Sequence, residues 1–278
     1  MYKLSNGVLI PKIGFGTWKS TDPKTCQDSV RIALEVGYKH VDTAKIYKNE
    51  EYVGAGIKAY LDGNKSAKRE ELFITTKLWN GAQGYESTLS EYEASLKNLG
   101  LDYIDLYLIH WPNPKNFKTT LDSWRAFEKL YEDKKVRAIG VCNFKIHHLE
   151  ELAKIAKIIP MINQIELHPE LQQEETRKYC KENGIVVESW SPLMQGNLDN
   201  ATLLDIAKKY NKSVAQVILK WHLQNDLLPL PKSVTPSRIK ENFELEGFSL
   251  DADDIAKIAA LQADHRYGPD PDTMEFGF

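Results

Sequence analysis

Three observations predict an α/β fold of the (β/α)8, or TIM-barrel, type for this 278-residue chain. Short β-rich runs that end in polar residues alternate roughly eight times with amphipathic stretches of helix length, as strands joined by crossover helices require. Glycines stand where several of those stretches should stop. No Gly/Ser-rich linker or low-complexity block interrupts the series, so residues 1–278 read as a single domain. A doubly wound sheet is the rival architecture.

The first element is a hairpin. Leu4-Ser5-Asn6-Gly7-Val8-Leu9-Ile10 sets Asn-Gly between apolar residues, and its place before the first barrel strand suits it to plug one end. Strand-like runs follow at 14–18, 38–42, 73–77, 104–110, 136–141, 161–166, 185–191 and 227–231. The clearest are Ile104-Asp105-Leu106-Tyr107-Leu108-Ile109 and Ile185-Val186-Val187, rich in β-branched and aromatic residues. Helix-like segments occupy 23–36, 50–60, 85–99, 119–133, 147–156 and 174–183, with a longer pair over 202–224. Gly37, Gly63, Gly100 and Gly184 are expected to end helices in the left-handed conformation. Gly54-Ala55-Gly56-Ile57-Lys58-Ala59 matches the G-x-G-x-x-A fingerprint that the rival sheet needs. That motif opens a helix directly after a strand, whereas Asn49-Glu50-Glu51-Tyr52-Val53 before it is helix-like. These glycines therefore read as close helix packing, and a nucleotide would be held at the C-terminal rim without a Rossmann fold.

Composition excludes other classes. With 36 Lys+Arg against 39 Asp+Glu, a net charge of −3, there is no electrostatic footprint for nucleic acid or an anionic membrane. No apolar run approaches the ~18 residues of a membrane span. Met1-Tyr2-Lys3-Leu4-Ser5-Asn6-Gly7 lacks the apolar core of a signal peptide. Cys26, Cys142 and Cys180 are odd in number and scattered, as reduced thiols in the cytoplasm would be. A cytoplasmic monomer with a small-molecule partner is the expectation.

Catalytic groups of a barrel sit at the C-terminal ends of its strands and on the loops after them. That rule selects Asp42 with the following Thr43-Ala44-Lys45-Ile46-Tyr47, then Lys77, His110-Trp111-Pro112 and Cys142-Asn143. It also selects Gln164, Glu166, Glu188, Ser189, Trp190, Ser191 and Lys232-Ser233. One carboxylate, one phenol, one ammonium and one imidazole thus meet at one rim. A phenol with pKa ~10 is a weak donor at neutral pH, and an adjacent ammonium would lower that value. The carboxylate would keep the lysine charged, and the imidazole would orient a carbonyl oxygen. Together these groups describe a proton donor aimed at a developing alkoxide.

The same residues resemble a known family. Asp42-Thr43-Ala44-Lys45-Ile46-Tyr47-Lys48-Asn49-Glu50 is similar to the aldo-keto reductase signature around its strand-two aspartate and loop tyrosine. Lys77 in Thr76-Lys77-Leu78-Trp79 and His110 in Leu108-Ile109-His110-Trp111-Pro112 resemble its other catalytic positions. Gly140-Val141-Cys142-Asn143-Phe144, Asn163-Gln164-Ile165-Glu166-Leu167-His168-Pro169 and Pro231-Lys232-Ser233-Val234 resemble its cofactor motifs, and the likeness extends to Arg266-Tyr267-Gly268-Pro269-Asp270-Pro271. The short C-terminus and Trp190-Ser191-Pro192-Leu193 are most similar to the bacterial branch of 2,5-diketo-gluconate and glyoxal reductases.

The resemblance implies reduction of aldehydes and ketones (small dicarbonyls, sugar-type or aromatic carbonyls) with NADPH, without a metal. Tyr47 would be the general acid, Lys77 its pKa-lowering partner, Asp42 the orienter of Lys77, and His110 the partner of the substrate oxygen. Asn143 and Gln164 would bind the carboxamide and Trp190 would stack on the nicotinamide. Thr17, Trp18, Asp42, Cys142, Ser191, Leu193, Gln195, Ser233, Val234, Glu241 and Asn242 would complete the cofactor site. Trp18, Trp79 and Trp111 would line the substrate pocket with Tyr47 and His110. Cys142 departs from the serine usual at its position, and a thiol is the poorer hydrogen-bond donor.

The preference for NADPH over NADH also rests on the residues themselves. In Lys232-Ser233-Val234-Thr235-Pro236-Ser237-Arg238-Ile239-Lys240-Glu241-Asn242, Thr235 suits an N-cap and Pro236 the first helical position. Free backbone N–H groups, the helix dipole, Lys232 and Arg238 would then grip the adenosine 2′-phosphate that NADH lacks.

Three rival chemistries are weaker. Glu166 and Glu188 could serve as paired carboxylates of a glycosidase, but that leaves Tyr47, Lys77 and His110 idle. Lys77 could form a Schiff base as in an aldolase. A non-enzymatic barrel would be expected to have lost one of the four rim residues, and all four are present. His147-His148 lacks metal-ligand spacing and reads as a solvated pair. The physiological carbonyl depends on the loops and the tail 272–278.

Overall fold

The computed structural model describes residues 1–274. Strands β1 (Tyr2–Lys3) and β2 (Leu9–Ile10) form the antiparallel hairpin, with Gly7 at φ 88° in its turn. Tyr2 donates its hydroxyl to Leu227 O, and Asn6 Nδ2 donates to Arg137 O. Both acceptors lie at the N-terminal starts of barrel strands, so the hairpin covers that end, burying Leu4 and Ile10.

Eight parallel strands follow: β3 (Phe15–Gly16), β4 (His40–Asp42), β5 (Phe73–Leu78), β6 (Ile104–Ile109), β7 (Val136–Cys142), β8 (Ile162–Glu166), β9 (Val186–Trp190) and β10 (Leu228–Pro229). Each pairs with the next in chain order. The ring closes where Gly14 N and Gly16 N donate to Pro229 O and Pro231 O, at 3.1 and 3.0 Å. Prolines carry no N–H to answer with, so Pro229 and Pro231 only accept across this seam; both strands are shorter than the runs 14–18 and 227–231 predict.

Helices surround the ring: α1 (Pro23–Val36), α2 (Glu50–Gly63), α3 (Tyr85–Leu99), α4 (Phe117–Glu132), α5 (Ile146–Ala153), α6 (Glu174–Glu182), α7 (Ala201–Tyr210), α8 (Val214–Gln224), α9 (Pro236–Phe243) and α10 (Ala252–Ala259). Helix α1 shows the local logic. Asp22 accepts from Thr25 N at 2.8 Å, Pro23 occupies the first turn, and Gly37 leaves at φ 128°. Gly100 and Gly184 are also left-handed, at φ 63° and 69°. Gly63 is not: α2 runs through it and ends at an extended Asn64. Gly54 and Gly56 lie inside α2, where a Cβ would come within 2.2 Å of Leu99 O and 2.7 Å of Gln27 O. They allow α2 to pack closely against its neighbours, and the motif lies inside a helix instead of opening one after a strand. No helix among the described residues is long and apolar enough to cross a membrane.

Candidate active site

A cleft of about 960 Å³ opens at the C-terminal rim. Asp42 ends β4, and the chain then forms a 3-10 turn over Lys45–Tyr47 that leaves through Lys48 at φ 54°. Buried Asn49 holds this loop: Thr43 Oγ1 donates to its Oδ1 at 2.7 Å, and its Nδ2 donates to Thr17 O and Ser20 O. Asn49 was legible only as part of a motif, without a role.

Lys77, on β5, is fully buried. Its Nζ donates to Asp42 Oδ1 at 2.6 Å, to Thr43 O at 2.9 Å and to Tyr47 Oη at 3.5 Å. All three ammonium protons are engaged, and Lys77 stands behind Tyr47 and does not line the cleft. Burial works against the charge, but Asp42, and then Tyr47, outweigh it and hold the ammonium above the usual lysine range. This disfavours the free amine that a Schiff-base aldolase needs. Half-buried Tyr47 departs from expectation. Burial pushes its phenol up to about 12, and the opposing pull of Lys77 does not overcome burial plus the charge of Asp42. At neutral pH the hydroxyl therefore carries its proton.

His110 follows β6, with its ring edge-on to Tyr47 and Trp79 at centroid distances of 5.6 and 5.4 Å. Burial, reinforced by Lys77, keeps its pKa well below the ordinary value, so the imidazole is neutral and offers one donor and one acceptor. Asn143, left-handed at φ 65°, ties two walls together. It donates from Nδ2 to His110 O at 3.0 Å and to Cys142 Sγ at 3.1 Å, and accepts from Trp190 Nε1 at 2.8 Å. Gln164 Nε2 donates to Asp42 Oδ2 at 3.0 Å and to Glu188 Oε2 at 2.9 Å. Its Oε1 faces Cys142 Sγ at 3.7 Å. Burial raises the Cys142 thiol well above its ordinary pKa, so it stays protonated.

Toward the other end the cleft is bounded by Thr17, Trp18, Ser191, Leu193, Gln195, Lys232, Ser233, Arg238, Glu241 and Asn242. Trp79 and Trp111 line it beside His110. Val234 does not; its side chain is exposed. Thr235 occupies the N-cap of α9 but makes no side-chain capping bond; instead its own N–H donates to Ser233 Oγ at 3.1 Å. The N–H groups of Ser237 and Arg238 have no partner within α9, and neither Lys232 nor Arg238 is ion-paired among the described residues.

Glu166 and Glu188 do not line the cleft. Glu166 Oε1 accepts from Tyr267 N at 2.6 Å and Gly268 N at 3.1 Å. That seats the tail against Trp190, where a Cβ on Gly268 would approach the indole to 2.3 Å. The glycosidase pair is therefore not assembled. Gly268, Pro269 and Met274, which the sequence did not nominate, line the cleft. The tail is pinned by Lys145 Nζ to Asp270 and Asp272, both at 2.7 Å. His147 and His148 Nε2 reach Asp272 Oδ1 at 3.0 and 3.4 Å. The expected solvated pair is therefore split: His148 is buried, whereas His147 stays exposed. Nδ1 of His148 accepts from Lys145 N, which leaves the Nε2 proton for Asp272. Residues 275–278 of the tail lie outside the described residues.

Known proteins resemble this chain over nearly its whole length. The chain is 54% identical over 275 residues to a glyoxal reductase of Bacillus subtilis (strain 168), covering 99% of this chain and 97% of that one. It is 45% identical over 278 residues to methylglyoxal reductase DkgA of Escherichia coli (strain K12), covering 99% and 97%. A solved structure of a Gox0644 variant in complex with NADPH superposes with a TM-score of 0.92 at 42% identity, over 99% of this chain and 98% of that one. With the aldo/keto reductase family description matching residues 12–263 on top of these near-complete likenesses, the chain belongs to that family and is an oxidoreductase acting on carbonyl compounds.

Proposed function

We propose that this chain reduces small aldehydes and ketones, dicarbonyls included, to alcohols with NADPH, and that Tyr47 donates the proton. The observation that carries the reading is the Lys77 ammonium, whose three hydrogen bonds run to Asp42, the Thr43 carbonyl and the Tyr47 hydroxyl.

The residues present suit the cofactor. The cleft has the size of small-molecule and cofactor sites. An amide acceptor, Gln164 Oε1, stands at one end, and open helix N–H groups with two cations unpaired among the described residues stand at the other. Trp190, held by Asn143, offers an aromatic face between them. Bound NADPH supplies the hydride. Tyr47 then releases its proton to the oxygen that gains the negative charge, and the nearby Lys77 ammonium stabilises the phenolate left behind. Asp42 keeps Lys77 charged and in place. Neutral His110 holds the carbonyl oxygen beside the phenol, and Trp18, Trp79, Trp111 and Met274 give the substrate apolar walls. The glyoxal and methylglyoxal reductases among the relatives support small dicarbonyls as the substrate class.

The test is NADPH oxidation followed at saturating cofactor over glyoxal, methylglyoxal, aldoses, keto acids and aromatic aldehydes. Turnover of the small dicarbonyls is expected, with NADH much less effective at equal concentration. Failure to oxidise NADPH with any carbonyl of the panel contradicts the proposal.

A further inference from the structure

Behind the cleft, two acidic side chains hold one amide between them. Both protons of Gln164 Nε2 are taken, by Asp42 Oδ2 at 3.0 Å and by Glu188 Oε2 at 2.9 Å. Turned over, the amide would set its own oxygen against the Asp42 carboxylate that Lys77 holds and would withdraw its N–H from Glu188 Oε2, so the two contacts together favour one sense. Oε1 is thereby left on the cleft side, where its partner is a weak donor, the Cys142 thiol at 3.7 Å. Gln164 and Cys142 line the cleft, whereas Glu188 is fully buried and does not.

Glu188 is costly where it stands. Its Oε1 has no hydrogen-bond partner among the described residues and lies 3.9 Å from His40 Nε2, a nitrogen that already faces Thr75 Oγ1 at 2.9 Å. A buried carboxyl with one orphan oxygen adds little to the fold that an apolar side chain of its volume would not. The contact it does make is the one that orients Gln164.

We propose that Glu188 is a positioning residue for cofactor recognition: with Asp42 it holds Gln164 so that Oε1 accepts a hydrogen bond from the carboxamide N–H of a bound nicotinamide. This rests on the reading that Gln164 meets the carboxamide. It also ties that contact to the acid, because Asp42 grips Gln164 with one oxygen and Lys77 with the other.

The experiment compares NADP+ with its 3-acetylpyridine analogue, in which a methyl ketone replaces the carboxamide and no N–H remains. Dissociation constants are read from quenching of tryptophan fluorescence in the full-length chain and its variants. The parent chain should prefer NADP+ by about tenfold, the scale of one hydrogen bond. Glu188→Gln keeps an acceptor for Gln164 and should keep that ratio. Glu188→Leu, which removes the acceptor, and Glu188→Asp, which withdraws it by one methylene, should each bring the ratio to within about twofold of unity. The Asp variant decides the matter if the Leu variant does not fold. Gln164→Leu separates the two assignments. If Gln164→Leu abolishes the preference while Glu188→Leu and Glu188→Asp retain it, the role of Glu188 is overturned and the Gln164 reading stands. If Gln164→Leu retains the preference, or the parent chain has none, the carboxamide reading fails and the Glu188 proposal fails with it.

Discussion

The two ends of the cleft are built on opposite plans. At the Tyr47 end every proton of Lys77 is assigned, both oxygens of Asp42 are taken, and Asn143 bonds to two walls at once. At the α9 end, Lys232 and Arg238 are exposed and unpaired among the described residues, and the first-turn N–H groups are open. Charge development at a reacting carbonyl is best met by dipoles that need no rearrangement, so wiring in advance favours the chemical step. An anion carries its own charge and can organise flexible cations around it, so the phosphate end needs no such wiring. The first region should therefore govern kcat and the second cofactor affinity.

The largest expected effect comes from the wired end. Tyr47→Phe removes the hydroxyl while nearly keeping shape and should lower kcat at least ~10²-fold, with little change in NADPH affinity. Lys77→Met should act on a similar scale, because burial and Asp42 would then raise the phenol unopposed and the phenolate would lose its counter-charge. Steady-state kinetics with methylglyoxal and a fluorescence titration of NADPH check both. At the open end, Arg238→Ala should weaken NADPH binding about 10- to 150-fold, the value of a charge-assisted contact of ~1.5–3 kcal/mol, while leaving NADH binding nearly unchanged. Equal losses for the two cofactors would place the phosphate elsewhere.

A smaller effect concerns stability against pH. Burial, and next the charge of Asp42, raise the Glu188 carboxyl to about 8, against the opposing Gln164 hydrogen bond and Lys77 charge. Between ~4.3, where an unfolded glutamate ionises, and that value, the unfolded chain has released a proton that the folded chain retains. Stability conferred at low pH is therefore lost as pH rises through this window. Glu188→Gln lacks the titration, so denaturant melts should show it gaining on the parent chain from pH 4 to 8, by on the order of a few kcal/mol. A difference that is flat with pH would contradict the shift. Smallest of all, Cys142→Ser should change kcat/KM by less than about threefold, since the hydroxyl, though the better donor, meets an amide already oriented from behind. A tenfold change would mean that the thiol itself sets the amide.

Much of the wired end was legible in the residues. Strand-length runs and glycine stops placed Asp42, Lys77 and His110 at strand ends, and the barrel rule made those ends a site. What escaped depends on three-dimensional burial. The upward shift of Tyr47 reflects desolvation, which no spacing reveals, and so does the withdrawal of Lys77 from the cleft. Glu188 was visible as a strand-end carboxylate, but its partner Gln164 comes from the neighbouring strand, which made a catalytic pair with Glu166 look open. His148 looked solvated like its exposed neighbour His147 because Asp272, its anchor, lies 124 residues further along the sequence. The open end was easier to read, since a helix start announces itself through Thr235-Pro236 in local sequence alone.

The division of labour between the two ends is tested most directly by a double-mutant cycle of Tyr47→Phe and Arg238→Ala, with the single-turnover rate and NADPH dissociation constant measured for all four proteins. Tyr47→Phe should lower only the rate, and Arg238→Ala should raise only the dissociation constant. The combined loss in rate over dissociation constant should then equal the sum of the two free-energy changes within about 0.5 kcal/mol. A Tyr47→Phe protein with near-parent turnover, or one whose main defect is NADPH binding, would contradict it.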